Sequence, residues 1–421
     1  MNICVLGLRG FPHVMGGVET HCEQLFPLLK NIRPKDSFVV IGRRRYLADR
    51  KAEFLGLKVV ALRHATDRRL ETITNAICGV FYARFVAHAD LLHIQGIGAS
   101  IIIPIAKLLH MRVIVTYHSK NYEHAKWNWV ARAVLRSGEL FAIHFSDHVV
   151  TVSKSIEREL IDRFPTLAHK VQFIPNGADH ICSASGSDSA EDQLGKFGLR
   201  KGRYLVAVGR LVPEKGFHDL IEAFDAADIS DCKLVLVGEA DHQDGYSKRL
   251  RACASDRIVF TGFLSRGCIN LLLRDASLFV LPSYNEGMPI AALEAVMAGC
   301  PVLLSNIEPN RALGFAPQNY FAVGSVRSLR DKLAGDHSAY RVDRSSILET
   351  YNWKRASAEM NKLYASIEKK LHARHGPVGE WKWPFLISNT SRLTRNAEAD
   401  AQRAIGHDAF DYMRREDATR H

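Results

Sequence analysis

A rhythm constrains this chain most: short, β-branched apolar runs alternate with longer segments of helical period through the first 350 of its 421 residues. The first series of expected strands is Ile3–Leu6, Phe38–Ile41, Val59–Leu62, Leu91–Ile94, Val113–Thr116, His148–Val152 and Val171–Ile174. The second is Tyr204–Val208, Leu234–Val237, Ile258–Thr261, Leu278–Leu281 and Val302–Leu304. Runs such as Val113-Ile114-Val115 and Leu234-Val235-Leu236-Val237 are apolar on both faces, as strands of a parallel sheet covered by helices on both sides must be. Strands alternating with helices twice over predict an α/β chain with two Rossmann-like, doubly wound domains. With 47% hydrophobic residues, such a chain buries a core readily, which excludes a disordered protein.

Between the two series the composition turns polar, at Ser183–Asp192, with no apolar period. The expected organisation is therefore a first domain over 1–180, a linker over 181–202 and a second domain over 203–350. A helix over 351–375 is expected to pack back on the first domain, and 376–421 to form a weakly structured tail. Two such domains face each other across a cleft, and open parallel sheets bind ligands beyond the carboxyl ends of their strands.

The net charge of +11, from 56 basic and 45 acidic side chains, is unevenly spread. Residues 1–180 hold 24 basic and 15 acidic side chains, a charge of +9, whereas 181–350 carry −2 and 351–421 carry +4. A basic first half suits nucleic acid, an anionic membrane surface or a phosphorylated small molecule, and charge alone does not choose among them. No recognised nucleic-acid module is visible, so nucleic acid is not expected as a partner. The opening Met1-Asn2-Ile3-Cys4-Val5 lacks a basic region before its apolar stretch and reads as a strand, not a secretory signal. Eight scattered cysteines without a Cys-x-x-Cys pair fit reduced thiols in the cytoplasm.

Three stretches could carry chemistry. Gly16-Gly17, between the first strand and the following helix, lets backbone N–H groups approach an anion at the helix's positive end; a flexible turn is the alternative. Arg210 and Lys215, five residues apart across a Pro/Gly turn, suit a diphosphate or form a solvated surface pair. The third stretch is Leu281 to Val302, where a strand runs into a Gly-containing loop and then a helix. Pro289 reads as the first helical position, and Glu286 and Glu294 lie eight residues apart with free amides expected between them. Helix-end amides suit phosphate, and carboxylates suit sugar hydroxyls.

The strand, loop and helix around Glu286-x7-Glu294, with Arg210 and Lys215 upstream, resemble glycosyltransferase family 4, a group of retaining enzymes with the GT-B fold. The resemblance covers about residues 1–370. Gly7-Leu8-Arg9-Gly10-Phe11-Pro12, Gly16-Gly17-Val18-Glu19-Thr20-His21 and His118-x-x-x-Tyr122-Glu123-x-x-Lys126-Trp127 are similar to the subgroup that builds bacterial surface polysaccharides. The resemblance implies a nucleoside-diphosphate-sugar donor, carrying UDP, GDP or dTDP, and a saccharide acceptor, lipid-linked on a polyprenyl diphosphate. It assigns Arg210 and Lys215 to the donor diphosphate, Glu286 to a donor-sugar hydroxyl and Glu294 to the ribose. Gly287, Met288, Pro289 and Ile290 would face the sugar and phosphates, Gly16 and Gly17 would close over the diphosphate, and His118 would lie near the transferred sugar. Phe263 and Leu264 would meet the base.

No cofactor is implied, and no Asp-x-Asp metal-binding pattern lies in a suitable loop. The fixed cations and amides are then expected to do the work of a metal ion. A nucleotide-sugar 2-epimerase and a non-catalytic nucleotide-sugar-binding protein are the rival readings. His93 reads as a structural strand residue. Arg43-Arg44-Arg45 and Lys126–Arg132 read either as solvated surface or as contacts to the inner face of the plasma membrane.

Overall fold

The computed structural model describes residues 1–67, 70–120, 122, 128–181, 195–229, 231–240 and 244–374, with side chains to 372. The polar stretch Ser183–Asp192, the motif residues Glu123, Lys126 and Trp127, and the tail after 375 lie outside them. One compact unit spans Met1–Ile367, and a second begins at Glu368.

The first sheet has eight strands: β1 Asn2–Leu6, β2 Ser37–Arg43, β3 Lys51–Phe54, β4 Leu57–Leu62, β5 Leu91–Gln95, β6 Arg112–Tyr117, β7 His148–Thr151 and β8 Val171–Phe173. Their order is β3-β4-β2-β1-β5-β6-β7-β8, and every pair is parallel except β3 with β4. The helices of this half are α1 Gly17–Ile32, α2 Glu71–Phe85, α3 Ile103–Leu108, α4 Trp129–Phe145 and α5 Lys154–Arg163. Each of the five residues of β5 is buried, because helices cover both faces. Strand β3 escapes the sequence pattern: Lys51, Ala52 and Glu53 are exposed on a sheet edge, where no apolar face is needed.

The second sheet has six strands, ordered β11-β10-β9-β12-β13-β14. They are β9 Tyr204–Val208, β10 Lys233–Val237, β11 Ile258–Gly262, β12 Leu278–Leu281, β13 Val302–Ser305 and the two-residue β14 Tyr320–Phe321, all parallel. Around them lie α6 Phe217–Ala227, α7 Gly245–Ala252, α8 Arg266–Asp275, α9 Ile290–Met297, α10 Glu308–Arg311, α11 Val326–Leu333 and α12 Arg344–Thr350. In both sheets the strand order reverses beside the first strand, β1 or β9, which opens a crevice at the carboxyl ends of the central strands.

The last helix, α13 Trp353–Arg374, returns to the first sheet. Tyr364 is fully buried; its hydroxyl lies 2.7 Å from Nδ1 of His93, and its ring stacks 6.5 Å from Phe38. Nε2 of His93 sits 2.7 Å from Thr116 Oγ1, so this histidine ties β5, β6 and α13 together.

Candidate active site

The β9–α6 turn carries both of the sequence's expected cations. Gly216 has φ 65°, and a Cβ there would lie 2.2 Å from the carbonyl oxygen of Pro282, so the turn is pressed against the chain leaving β12. That contact brings Lys215 to Glu286: Nζ lies 2.5 Å from Oε1, and Ser283 Oγ donates to the same oxygen at 2.6 Å. Arg210 lies two residues past the end of β9 and is half-buried. The cation and carboxylate singled out separately by sequence thus form one pair at the carboxyl end of β9 and β12.

The helix after the loop differs from expectation by one residue. Pro289 is the N-cap, with ψ 76°, and α9 starts at Ile290. Some of the amides expected to be free are engaged: Ile290 N–H bonds the Met288 carbonyl, and Ala292 and Leu293 N–H bond that of Pro289. A kinked N-cap lets the first turn satisfy itself. Glu294 is buried, and its Oε1 accepts from His180 Nε2 at 2.8 Å while Arg266 lies 3.9 Å away. Burial pushes the Glu294 carboxyl up, but the hydrogen bond from His180 and the positive charge of Arg266 outweigh it and hold it below the usual range. Trp353 Nε1–H donates to His180 Nδ1 at 3.0 Å. An indole is only a donor, so Nδ1 must accept and the His180 proton sits on Nε2, aimed at Glu294.

His180, Trp353 and Arg266 are site residues the sequence reading missed. No local motif marks them, because His180 and Glu294 are 114 positions apart in the chain. Phe263 and Leu264 separate: Phe263 is half exposed, whereas the Leu264 side chain is buried in the second-domain core. Consecutive residues point to opposite sides here, so of the two only Phe263 presents its side chain at the surface.

From the first domain, the Gly16-Gly17 turn approaches α9. A Cβ on Gly17 would lie 3.9 Å from Ile290 Cδ1, and Arg9 backs the turn by donating to Met15 O at 2.7 Å and to Glu19 Oε1 at 3.0 Å. His118, just after β6, lies 2.9 Å from Gln95 Oε1 through Nε2, and its ring meets that of His21 edge-on at 4.8 Å. Its backbone touches the Glu286 loop: a Cβ on Gly287 would fall 1.6 Å from the His118 carbonyl oxygen. Asn176 N–H also points at Met288 Sδ, 3.4 Å away. The structure therefore brings Gly17 against Ile290, His118 against Gly287 and Asn176 against Met288.

Arg43 departs from the surface reading. It lies 3.1 Å from the buried Glu71 carboxylate and donates to Thr72, because the end of β2 turns it under α2. Arg44 is turned back onto the carbonyls of Leu47 and Ala48.

Three buried histidines make stability depend on pH. Burial lowers His21 to about 4 and His93 to about 3, and burial together with His21 and His93 takes His118 well below the ordinary value. All three are neutral when folded, so below about pH 6.5 the unfolded chain binds protons that the folded chain refuses. Stability is full above that pH and is lost as pH falls toward 4. The limiting slope is about 4 kcal/mol per pH unit for three such groups. Urea midpoints measured from pH 7 to 4.5 should fall steeply, and a flat profile would show that the histidines charge in place.

Residues 15–180 match the family described as Glycosyltransferase Family 4, and 190–313 match Glycosyl transferases group 1. An uncharacterised glycosyltransferase of Methanocaldococcus jannaschii is 32% identical over 176 residues, 40% of this chain and 45% of that protein. A Mycobacterium tuberculosis glycogen synthase is 26% identical over 288 residues, 63% of this chain and 66% of its own length. An Escherichia coli UDP-Gal:α-D-GlcNAc-diphosphoundecaprenol α-1,3-galactosyltransferase is 28% identical over 208 residues, covering 48% and 53%. The matched stretch thus spans between about half and two thirds of these relatives. Among solved structures, sucrose-phosphate synthase from Thermosynechococcus elongatus superposes with TM-score 0.72 at 20% identity, over 87% of this chain and 99% of that one. Anabaena HepE in complex with UDP-glucose gives TM-score 0.66 at 19% identity, over 86% and 99%. These likenesses establish the GT-B fold.

Proposed function

We propose that this chain, which belongs to glycosyltransferase family 4, moves a sugar from a nucleoside diphosphate to a saccharide acceptor with retention of anomeric configuration. The observation that carries the reading is the single cluster at the carboxyl ends of β9 and β12. Lys215 is paired with Glu286 at 2.5 Å and Glu294 lies eight residues further on, with His118 against the loop at Gly287 and Gly17 against Ile290 at the start of α9. In the reaction the bond from the sugar's anomeric carbon to the diphosphate breaks, and the acceptor oxygen bonds that carbon on the same face. The acceptor proton passes to the departing diphosphate. Arg210 and Lys215 stabilise the charge that grows on the leaving group, which is where fixed cations contribute most. Glu286 orients a sugar hydroxyl, and Glu294, held ionised, accepts from the ribose.

The acceptor we assign is lipid-linked, in the building of a surface polysaccharide at the inner face of the plasma membrane. The motifs at 7–12, 16–21 and around His118 support this, as does the E. coli relative, whose name gives a diphosphoundecaprenol acceptor. No helix among the described residues is long and apolar enough to cross a membrane, so contact with such an acceptor would be made at the surface.

UDP-, GDP- and dTDP-sugars compared by thermal shift, followed by product analysis on a lipid-linked saccharide, test the proposal. One nucleotide class should raise Tm by about 5 °C or more at a hundredfold excess over Kd. A donor turned over without acceptor would point to an epimerase. A donor bound and never turned over would point to a binding protein, and no binding by any nucleotide would remove the donor site itself.

A further inference from the structure

Helices α2, α3 and α4 lie side by side on one face of the first sheet. Their inner sides share one core, through Ala76, Val80 and Ala83 of α2, Ile103 and Ala106 of α3, and Ala142 of α4. Their outer sides are not those of an ordinary solvated surface. Phe81 and Phe85 stack on each other at 6.2 Å outside the core, and Leu108 and Trp129 are 78% and 79% exposed. Leu140 and Phe145 are exposed as well. On α4 the residues Trp129, Arg132, Arg136 and Leu140 recur at helical spacing along one exposed stripe.

The charges on this face have one sign. The two carboxylates of these helices, Glu71 and Glu139, are both buried; Glu71 pairs with Arg43, and Glu139 with Tyr117 at 2.6 Å and Arg163 at 2.9 Å. What remains exposed is cationic: Arg84, Arg132 and Arg136. On the second domain, α6 shows the usual pattern, with exposed Glu222 and Asp225 on its outer side.

We propose that the outer face of α2, α3 and α4 docks on an anionic lipid bilayer. Exposed apolar side chains on several adjacent helices mark an interaction surface, and aromatic residues mixed with arginines suit the headgroup boundary. A second copy of the chain is the poorer occupant. A two-fold contact sets the same patch against itself, and here arginines would meet arginines with no exposed carboxylate on these helices to answer them. Trp129 stands at the end of α4 nearest the strand carboxyl ends, so the docked face reaches the rim of the candidate active site. The inference deepens the proposed function by giving the lipid-linked acceptor a side of approach. Its evidence is independent of donor chemistry.

The experiment is co-sedimentation of the full chain, without donor or acceptor, with vesicles of 30% phosphatidylglycerol in phosphatidylcholine and with phosphatidylcholine alone, at low and high salt. The chain should partition onto the anionic vesicles at low salt, with a blue shift of the tryptophan emission that Trp129→Ser diminishes. The triple variant Phe85→Ser, Leu108→Ser, Trp129→Ser should bind about tenfold or more weakly. The pair Arg84→Glu, Arg132→Glu should bind weakly and lose the salt dependence. Both variants should keep wild-type Tm and wild-type turnover of a water-soluble acceptor, which separates this proposal from the transfer reaction. Three outcomes would overturn it: no binding of the wild type to anionic vesicles at low salt, undiminished binding by the triple variant, or a concentration-dependent dimer that the triple variant abolishes.

Discussion

Lys215→Ala is expected to lower kcat by about 10²–10³-fold, the usual cost of removing one fixed donor that faces developing negative charge. The same substitution strips Glu286 of its cation and leaves it with Ser283. Side-chain exposures of 20% for Lys215 and 10% for Glu286 make that a partly desolvated pair, so a lone carboxylate there also costs stability. The double variant Lys215→Ala, Glu286→Gln separates the two effects. It should regain the Tm lost by the single variant, because no unpaired charge remains, and it should stay inactive. If the single variant folds and turns over at the wild-type rate, the diphosphate assignment of Lys215 is wrong. If the double variant regains activity along with stability, the lysine is merely structural.

Gly287→Ala should be nearly as damaging, by a different route. Gly287 does not have a positive φ, so alanine is acceptable to its own backbone. The difficulty lies across the cleft: the added methyl would fall 1.6 Å from the His118 carbonyl oxygen, 2.7 Å from its carbon and 2.9 Å from Ser119 Cβ. Those first two atoms are backbone and cannot rotate aside, so the two domains must stand apart. Turnover should drop by more than about 100-fold, since a misplacement of roughly an ångström between reacting groups costs that much. Nucleotide affinity, which belongs to the second domain, should change by less than about threefold. Adding Ser119→Gly should not rescue the variant, because it relieves the longest of the three contacts and leaves the backbone clash. Wild-type turnover by Gly287→Ala would mean that the contact seen here is not part of the working cycle.

The fold was legible wherever burial was complete. Strands such as Val113–Thr116 and Leu234–Val237 are apolar on both faces because helices cover both, and their shortness and β-branched residues mark them as strands. Lys51–Phe54 was not legible, since an exposed edge strand has no need of it, nor was Tyr320–Phe321, which is too short to show a period. Within the site, Glu286 and Glu294 could be found because loop and helix place them in one local run. The pairing of Lys215 with Glu286 spans 71 positions and depends on the Gly216 turn pressing against Pro282. His180 was hidden for the same reason: its partners Glu294 and Trp353 lie 114 and 173 positions away and come together only after both sheets exist. Leu264 shows the limit from the other side, because a dipeptide can match a motif while its two side chains point opposite ways.

The crossings between the two sheets have a mechanical consequence. The chain leaves the first sheet through residues 174–181 and returns through 351–353, and these two strands of chain are joined. Trp353 N–H donates to Asp179 Oδ1 at 2.8 Å, Ala178 N–H donates to the Tyr351 carbonyl at 3.0 Å, and a Cβ on Gly177 would lie 2.4 Å from the Trp353 nitrogen. Two separate tethers would limit how far the domains part; two tethers fastened together act as a pivot. In a pivoting lever, displacement grows with distance from the pin. Glu294 is connected to that pin through His180 and Trp353 and Met288 through Asn176, so these residues would travel least, while the Gly16-Gly17 turn would separate from Ile290 the furthest. A nucleotide could then be held at the fulcrum throughout the cycle while the sugar end of the cleft opens and shuts around it.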